Sequence, residues 1–374
     1  MKKVVFITGT RADYGKIKSI LLKLQKNTKF KIILYVTGMH NLKQFGHTYH
    51  EILKDKIKNV VRVNNQSNKN KMDEIFARTS FQFSNFLKKT KPDLVVVHGD
   101  RSEALACAIV SCLNNIKVGH IEGGELTGTI DEMIRHSISK IANYHFVTNK
   151  FAKKRLLQMG EKNNSIFIIG SPDVDIILKK NLPNLGSAKK RYNINYDKYS
   201  IAIMHPVTTD LKNIKKDSNI FINSLIKSKK NYIVIHPNND EGRHIIIDSL
   251  KKIKKNPRFK EFHSIRFEYF LTFLKNSNLI IGNSSSGVVE APYYGVPCIN
   301  LGSRQNKRVN IKTIINCPYS ENKIIKAIDK YSNKKFKKIS YFGIGKSNKK
   351  FIDILLHNQM LWDDVNQKYF KEII

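Results

Sequence analysis

Asp93-Leu94-Val95-Val96-Val97-His98-Gly99-Asp100 is apolar at every position from 94 to 97 and then stops at a glycine and an acid. A strand with one wet face alternates apolar and polar residues. One that is apolar throughout has to be covered on both faces, which is the setting of a parallel sheet. Similar runs recur at 3–8, 31–36, 59–63, 116–121, 144–148 and 166–169, with amphipathic helical stretches between them at 14–26, 41–56, 72–90, 101–113, 130–142 and 150–159. This alternation predicts a doubly wound α/β domain over residues 1–170. Residues 171–198, entered through Gly170-Ser171-Pro172, break the pattern and read as an interdomain connection. A second series predicts another such domain over 199–345, with strands at 200–204, 231–236, 278–281, 297–300 and 313–316. Its helices are expected at 212–228, 241–255, 267–276, 286–294 and 321–331. The C-terminal region 346–374 carries a helix at 347–371, expected to pack back on the first domain. The fold class expected is α/β, with two Rossmann-like doubly wound domains facing a cleft.

A chain of 374 residues with 41% hydrophobic content can bury two cores. No apolar run approaches the roughly 20 residues that span a bilayer. The opening Met1-Lys2-Lys3-Val4-Val5-Phe6-Ile7 is too short for a secretory signal core and fits a first buried strand, so a cytoplasmic protein without a membrane partner is expected. Cys107, Cys112, Cys298 and Cys317 include no pair at metal spacing and read as reduced thiols. The net charge of +36 comes from lysines spread along the whole chain among Asn and Ile. With no zinc finger, RNA-recognition signature or basic arm, no nucleic-acid partner is predicted. The charge favours a polyanionic ligand such as a nucleoside diphosphate.

The chemistry-bearing residues gather where strands end, which is where open α/β sheets present ligands. His120-Ile121-Glu122-Gly123-Gly124-Glu125 follows one strand, and Asp131, Glu132, Arg135 and His136 come soon after. Acids beside glycines at a strand end suit proton transfer on a polar ligand; solvated loop acids are the plainer alternative. Asp100 is either a proton-handling group or a cap for the helix beginning at Arg101 or Ser102. Gly9-Thr10-Arg11-Ala12-Asp13-Tyr14-Gly15-Lys16 opens the first helix and offers Arg11 and free amides to an anion. It lacks the spacing of a dinucleotide fingerprint or a P-loop. A surface salt bridge is the alternative for Arg11. His205 and His236 end two strands of the second half and are expected to face one cleft, with Asn238 close behind. Gly282-Asn283-Ser284-Ser285-Ser286-Gly287 reads as a phosphate site at a helix start, with Glu290 along that helix placed to take the two hydroxyls of a ribose. Arg304 adds a guanidinium near the same plane. A serine N-cap is the alternative for the triple-serine run.

In this order the motifs resemble the hydrolysing UDP-N-acetylglucosamine 2-epimerases of sialic-acid and legionaminic-acid synthesis. The likeness covers about residues 3–310 and rests on the stretches 9–15, 99–101, 120–125, 131–137, 205–206, 282–287 with Glu290, and 302–305. It implies a GT-B fold, a nucleotide sugar in the interdomain cleft, no metal or redox cofactor, and a homodimer or homotetramer. It also implies a reaction. A base takes the proton at carbon 2, nucleoside diphosphate leaves carbon 1 by anti elimination, and water adds to the glycal to release a free manno-configured sugar. Matching motifs assign Asp100, Glu122 and Asp131 to proton chemistry and His205 to the leaving diphosphate. Arg11, Arg101, His236, Asn238, Ser284, Ser285, Ser286, Glu290 and Arg304 are assigned to nucleotide or substrate binding. Gly123 and Gly124 would let the loop approach the sugar. Lys16 is shared with non-hydrolysing relatives, whereas Gly123-Gly124 follows the hydrolysing pattern, and 128–132 with 205–208 resembles members acting on the 4-acetamido-6-deoxy sugar. A non-hydrolysing 2-epimerase and an acceptor-dependent GT-B glycosyltransferase are the competing enzyme readings.

Overall fold

In the computed structural model the chain divides into two compact units, and residues 1–372 are described apart from 44, 45, 47, 68, 69, 239, 306, 307 and 364–366. The first unit comprises Met1–Glu125, Asp131–Leu178 and Tyr341–Ile374; the second comprises Leu126–Ile130 and Lys179–Ser340. Each is a Rossmann-like α/β layer structure, the fold class expected.

The first unit carries β1 (Lys2–Thr8), β2 (Phe30–Val36), β3 (Val60–Arg62), β4 (Leu94–His98), β5 (Lys117–Ile121), β6 (Tyr144–Val147) and β7 (Ile166–Ile168). Its helices are α1 (Arg11–Leu24), α2 (Tyr49–Lys54), α3 (Met72–Thr90), α4 (Ser102–Leu113), α5 (Ile130–Ile141), α6 (Lys150–Gln158) and α7 (Pro172–Ile177). The seven strands are all parallel, in the order β3-β2-β1-β4-β5-β6-β7. The apolar run of β4 explains itself here. Leu94 and Val96 enter one core with Val4 and Phe6, while Val95 and Val97 enter the opposite core with Val5 and Ile7. The strand order reverses between β1 and β4, so the loops after these two strands diverge and leave the crevice in which open α/β sheets bind ligands.

The second unit holds α8 (Leu185–Tyr192), β8 (Ser200–Ile203), α9 (Ile214–Lys227), β9 (Tyr232–Ile235), α10 (Arg243–Leu250), β10 (Phe259–Phe262) and α11 (Phe267–Lys275). It continues with β11 (Ile280–Gly282), α12 (Ser285–Val288), α13 (Ala291–Tyr294), β12 (Cys298–Leu301), β13 (Ile314–Cys317) and α14 (Glu321–Tyr331). Its six parallel strands follow the order β10-β9-β8-β11-β12-β13, reversing at β8 and β11. At that reversal Gly282 sits at φ 130°, and a Cβ there would lie 1.8 Å from the Ile203 carbonyl oxygen. Gly282→Ala is expected to cost more than about 3 kcal/mol, since backbone strain and a main-chain collision coincide. Gly186→Ala in α8, whose Cβ would meet nothing nearer than 3.5 Å, should be neutral or stabilising by up to about 1 kcal/mol. Urea titration checks both; equal effects would contradict the steric account.

Several expected elements differ. The presumed connection 171–198 folds instead into α7 and α8, and the chain passes between units at Leu178–Lys179. Ser171 caps α7 by accepting from the Asp173 amide, with Pro172 in the first turn; the breakers were a helix start. The stretch 41–56 holds only α2, preceded by a short 3-10 turn at Gly38–Asn41; its residues 44, 45 and 47 lie outside the described residues. β10 was not expected, because Phe259 and Phe262 stand three apart with Lys260 and Glu261 between them, which makes neither an apolar run nor an alternation. The helix expected at 286–294 is two short ones, α12 and α13, with Pro292 in the first turn of the second. The last stretch is α15 (Ser347–His357) and α16 (Met360–Asp363), not one helix to 371; residues 364–366 of that stretch lie outside the described residues. Phe351 of α15 packs 4.4 Å from Phe146 and 6.0 Å from Phe6, ring to ring, in the first core. No helix among the described residues is long and apolar enough to cross a membrane.

Candidate active site

In the first unit, the ends of β4 and β5 and the start of α5 converge on one buried cation. Arg135, one turn into α5, donates 2.7 Å to the Glu122 carbonyl and forms an ion pair with the Asp100 carboxylate. Asp131 stands one helical turn before it on the same helix and adds to its field. Burial opposes the guanidinium's charge, yet Asp100, Glu122, Glu125 and Asp131 together hold it more firmly protonated than usual. Asp100 is therefore not the cap of α4. That helix begins at Ser102 with Arg101 in the cap position and no side-chain cap bond.

Glu122 follows the last residue of β5 in the left-handed conformation, φ 64°. Its carboxylate lies 3.3 Å from the Lys16 ammonium and 3.2 Å from His98 Nε2, and it accepts from the Ser171 hydroxyl. Lys16 also contacts Asp173 at 3.0 Å. Burial favours the neutral acid, but the Lys16 charge, the neighbouring His98 ring and the hydrogen bonds hold the Glu122 carboxyl well below the usual carboxylate range. His120, within β5, donates Nε2–H to the Gly99 carbonyl at 2.8 Å and accepts the Ser139 hydroxyl on Nδ1 at 3.0 Å. It thereby ties the loop bearing Asp100 to β5 and α5.

The glycines of this loop have a different job from the one expected. A Cβ on Gly123 would lie 2.7 Å from Ser139 Oγ and 2.9 Å from His120 Nδ1, and one on Gly124 2.5 Å from the Ala152 carbonyl oxygen. Their lack of a Cβ lets α5 and α6 pack close against the loop. Glu125, buried, accepts from the Thr148 hydroxyl. His136 lies 3.8 Å from Glu132 on the outer face of α5.

In the second unit the loops after β8, β9, β11 and β12 form one network. Asn283 accepts from the His205 amide at 2.7 Å and donates to the His205 carbonyl at 2.8 Å. His205 Nδ1 accepts the Asn238 amide at 3.1 Å, which places its ring proton on Nε2. Burial, then the Arg304 charge, lowers the pKa of His205 to about 3, so it works as a neutral donor. Arg304 reaches the Asn283 carbonyl at 3.4 Å and Asp240 at 3.9 Å. Ser284 is the N-cap of α12, accepting from the Ser286 amide, with Ser285 and Ser286 partly exposed in its first turn. Glu290 is buried in the cap position of α13 rather than within one long helix. A cavity of about 480 Å³ reaches His205 and Ser303 and is lined further by Asp210, Asp217, Asn316 and Tyr319.

Three expected site residues have other neighbours. His236 turns toward β10, 3.1 Å from Glu261 and 4.5 Å ring to ring from His263, so the two histidines are not paired. Arg11 forms an ion pair with Glu51, and Arg101 lies 3.5 Å from Glu103. No group of three or more His, Cys, Asp or Glu among the described residues is placed to hold a metal ion.

Residues 22–356 match the family described as UDP-N-acetylglucosamine 2-epimerase. The chain belongs to that family. It is similar to a UDP-N-acetylglucosamine 2-epimerase of Neisseria meningitidis, 41% identical over the full length of both chains. It is also similar to a UDP-N,N'-diacetylbacillosamine 2-epimerase (hydrolyzing) of Legionella pneumophila, 33% identical over 96% of this chain and 98% of the relative. The solved structure of the Methanocaldococcus jannaschii UDP-GlcNAc 2-epimerase in complex with UDP-GlcNAc and UDP superposes with a TM-score of 0.82, at 26% identity over 96% of this chain and 100% of that one. Within this epimerase, sequence reasoning missed His98, Ser171 and Asp173 as neighbours of Glu122. The Ser-Pro-Asp helix start was the available signal for the last two.

Proposed function

We propose that this epimerase is of the hydrolysing type, releasing a free manno-configured 2-acetamido sugar and nucleoside diphosphate. The donor is UDP-N-acetylglucosamine or its 4-acetamido-6-deoxy analogue, and the sugar feeds nonulosonic acid synthesis in a cytoplasmic homo-oligomer. The observation that carries this reading is the single buried Arg135 tying Asp100, the Glu122 backbone and the Asp131 helix turn into one acid–base cluster. Elimination breaks the bond between carbon 2 and its proton, whose electron pair forms the carbon 1–carbon 2 double bond. The carbon 1–oxygen bond then cleaves, its pair leaving with the diphosphate. Hydration returns a proton to carbon 2 and hydroxide to carbon 1. Proton removal and return need more than one acid–base group, and Asp100, Glu122 and Asp131 supply them, Glu122 acting in its anionic form. Neutral His205 donates Nε2–H to the departing diphosphate, which Ser284, Ser285, Ser286 and Arg304 hold, with Glu290 on the ribose. Hydrolysis is supported by the Gly123-Gly124 pair, which follows the hydrolysing pattern.

The test is incubation with each donor, UDP- and GDP-linked, in deuterated water, followed by NMR. Free sugar deuterated at carbon 2, formed one for one with nucleoside diphosphate, is the expected result. Deuterated sugar that stays on the nucleotide would assign the non-hydrolysing type, and turnover that needs an acceptor would assign a glycosyltransferase.

A further inference from the structure

The Glu122 carboxylate is met by Lys16 of α1, His98 of β4 and Ser171 at the start of α7, while Arg135 of α5 holds the Glu122 backbone and Asp173 meets the other side of Lys16. Asp173 is fully buried at 0% exposure, whereas the Lys16 side chain keeps 20%. One ammonium thus touches two carboxylates, at 3.3 Å and 3.0 Å, which places those carboxylates no more than about 6 Å from each other. Ser171 joins the same arrangement, capping α7 through the Asp173 amide while donating to Glu122. The turn 170–173 is therefore built around the ion pair.

We propose that Asp173 is a positioning residue for the proton chemistry, holding one side of the Lys16 ammonium and dividing that charge between itself and Glu122. A cation devoted wholly to Glu122 would make that carboxylate a poorer proton acceptor; no cation at all would leave two buried acids repelling each other. The division holds Glu122 anionic without removing its basicity. This inference rests on the proposed reaction, in which Glu122 works as an anion.

The test is a cycle of Lys16→Met, Asp173→Asn and the double variant in the full-length enzyme, reading the acid limb of kcat against pH. Lys16→Met should move that limb up by at least about one pH unit, because the facing carboxylates then share a proton. Adding Asp173→Asn should bring it part of the way back, since the repulsion is gone. Asp173→Asn alone should lower kcat several-fold and leave KM within about twofold. A double variant whose limb stays with that of Lys16→Met, or a single Asp173→Asn with unchanged kcat, would overturn the proposal. Should the wild-type protein turn over none of the donors, the reaction reading fails by itself. The same order of midpoints is then sought in the carboxyl carbon-13 titration of Glu122, assigned with Glu122→Gln, and its absence there overturns the proposal too.

Discussion

Arg135→Met is expected to lower turnover sharply and to destabilise the first unit at the same time. The guanidinium is 3% exposed, donates to the buried Glu122 carbonyl and pairs with the partly exposed Asp100, so its removal leaves the carbonyl without its donor and takes a cation from the carboxylate. Breaking one side of a buried charged pair costs about 3–5 kcal/mol. Loss of the contact that places both acids should lower kcat/KM at least about a hundredfold, the scale of an ångström-level misplacement. Arg135→Lys should recover part of the stability and little of the activity, because an ammonium lacks the planar fork that reaches two partners at once. Denaturant unfolding and steady-state kinetics on the two variants check this. An Arg135→Met enzyme within tenfold of wild type would remove Arg135 from the centre of the site.

The protein should lose stability steeply between pH 6.5 and 5. Burial is the main cause that lowers His40, His120 and His205 to about 3 in the folded state. The unfolded chain takes up protons at its ordinary histidine value, 6.5, before the folded one does. With more protons bound in the unfolded state, stability rises with pH, and it falls as pH drops from about 6.5 toward 3. Each such group contributes up to about 1.4 kcal/mol per pH unit, so the three approach about 4. His145, buried against Glu161, is also lowered and acts in the same direction. Glu122, held low, adds its own loss only below the usual carboxylate value of 4.5, whereas Asp13, whose carboxyl burial pushes up, works against the histidine slope. Urea midpoints measured at pH 7, 6 and 5 give the slope. A flat profile across that window would show that these rings are not held neutral.

The places of Asp100 and Glu122 in the fold were legible because both follow strand ends, and strand ends can be located from apolar runs. Glu122 after 116–121 and Asp100 after 93–98 needed nothing more than that rule. The residues whose surroundings differ from those expected share a physical cause. Gly170-Ser171-Pro172 looks like a breaker from its composition, yet in the fold its serine caps a helix and holds a carboxylate 49 residues away in sequence. The glycines at 123 and 124 announce close approach, but composition cannot say to what, and the answer is α5 and α6. His205 and His236 end neighbouring strands, yet one turns to Asn238 and the other to β10, a side-chain choice set by Glu261.

By itself the sequence determined the parallel layers, the two-unit plan and the family. These follow from apolar periodicity and from motifs whose spacing is local. Only the tertiary structure decided which charges meet. Arg135, Lys16 and Ser171 reach Glu122 from α5, α1 and the start of α7, Asp173 meets it only through Lys16, and the ionisation of a buried acid is set by neighbours within a few ångströms in space. Nothing in linear order encodes that distance until the sheet has folded.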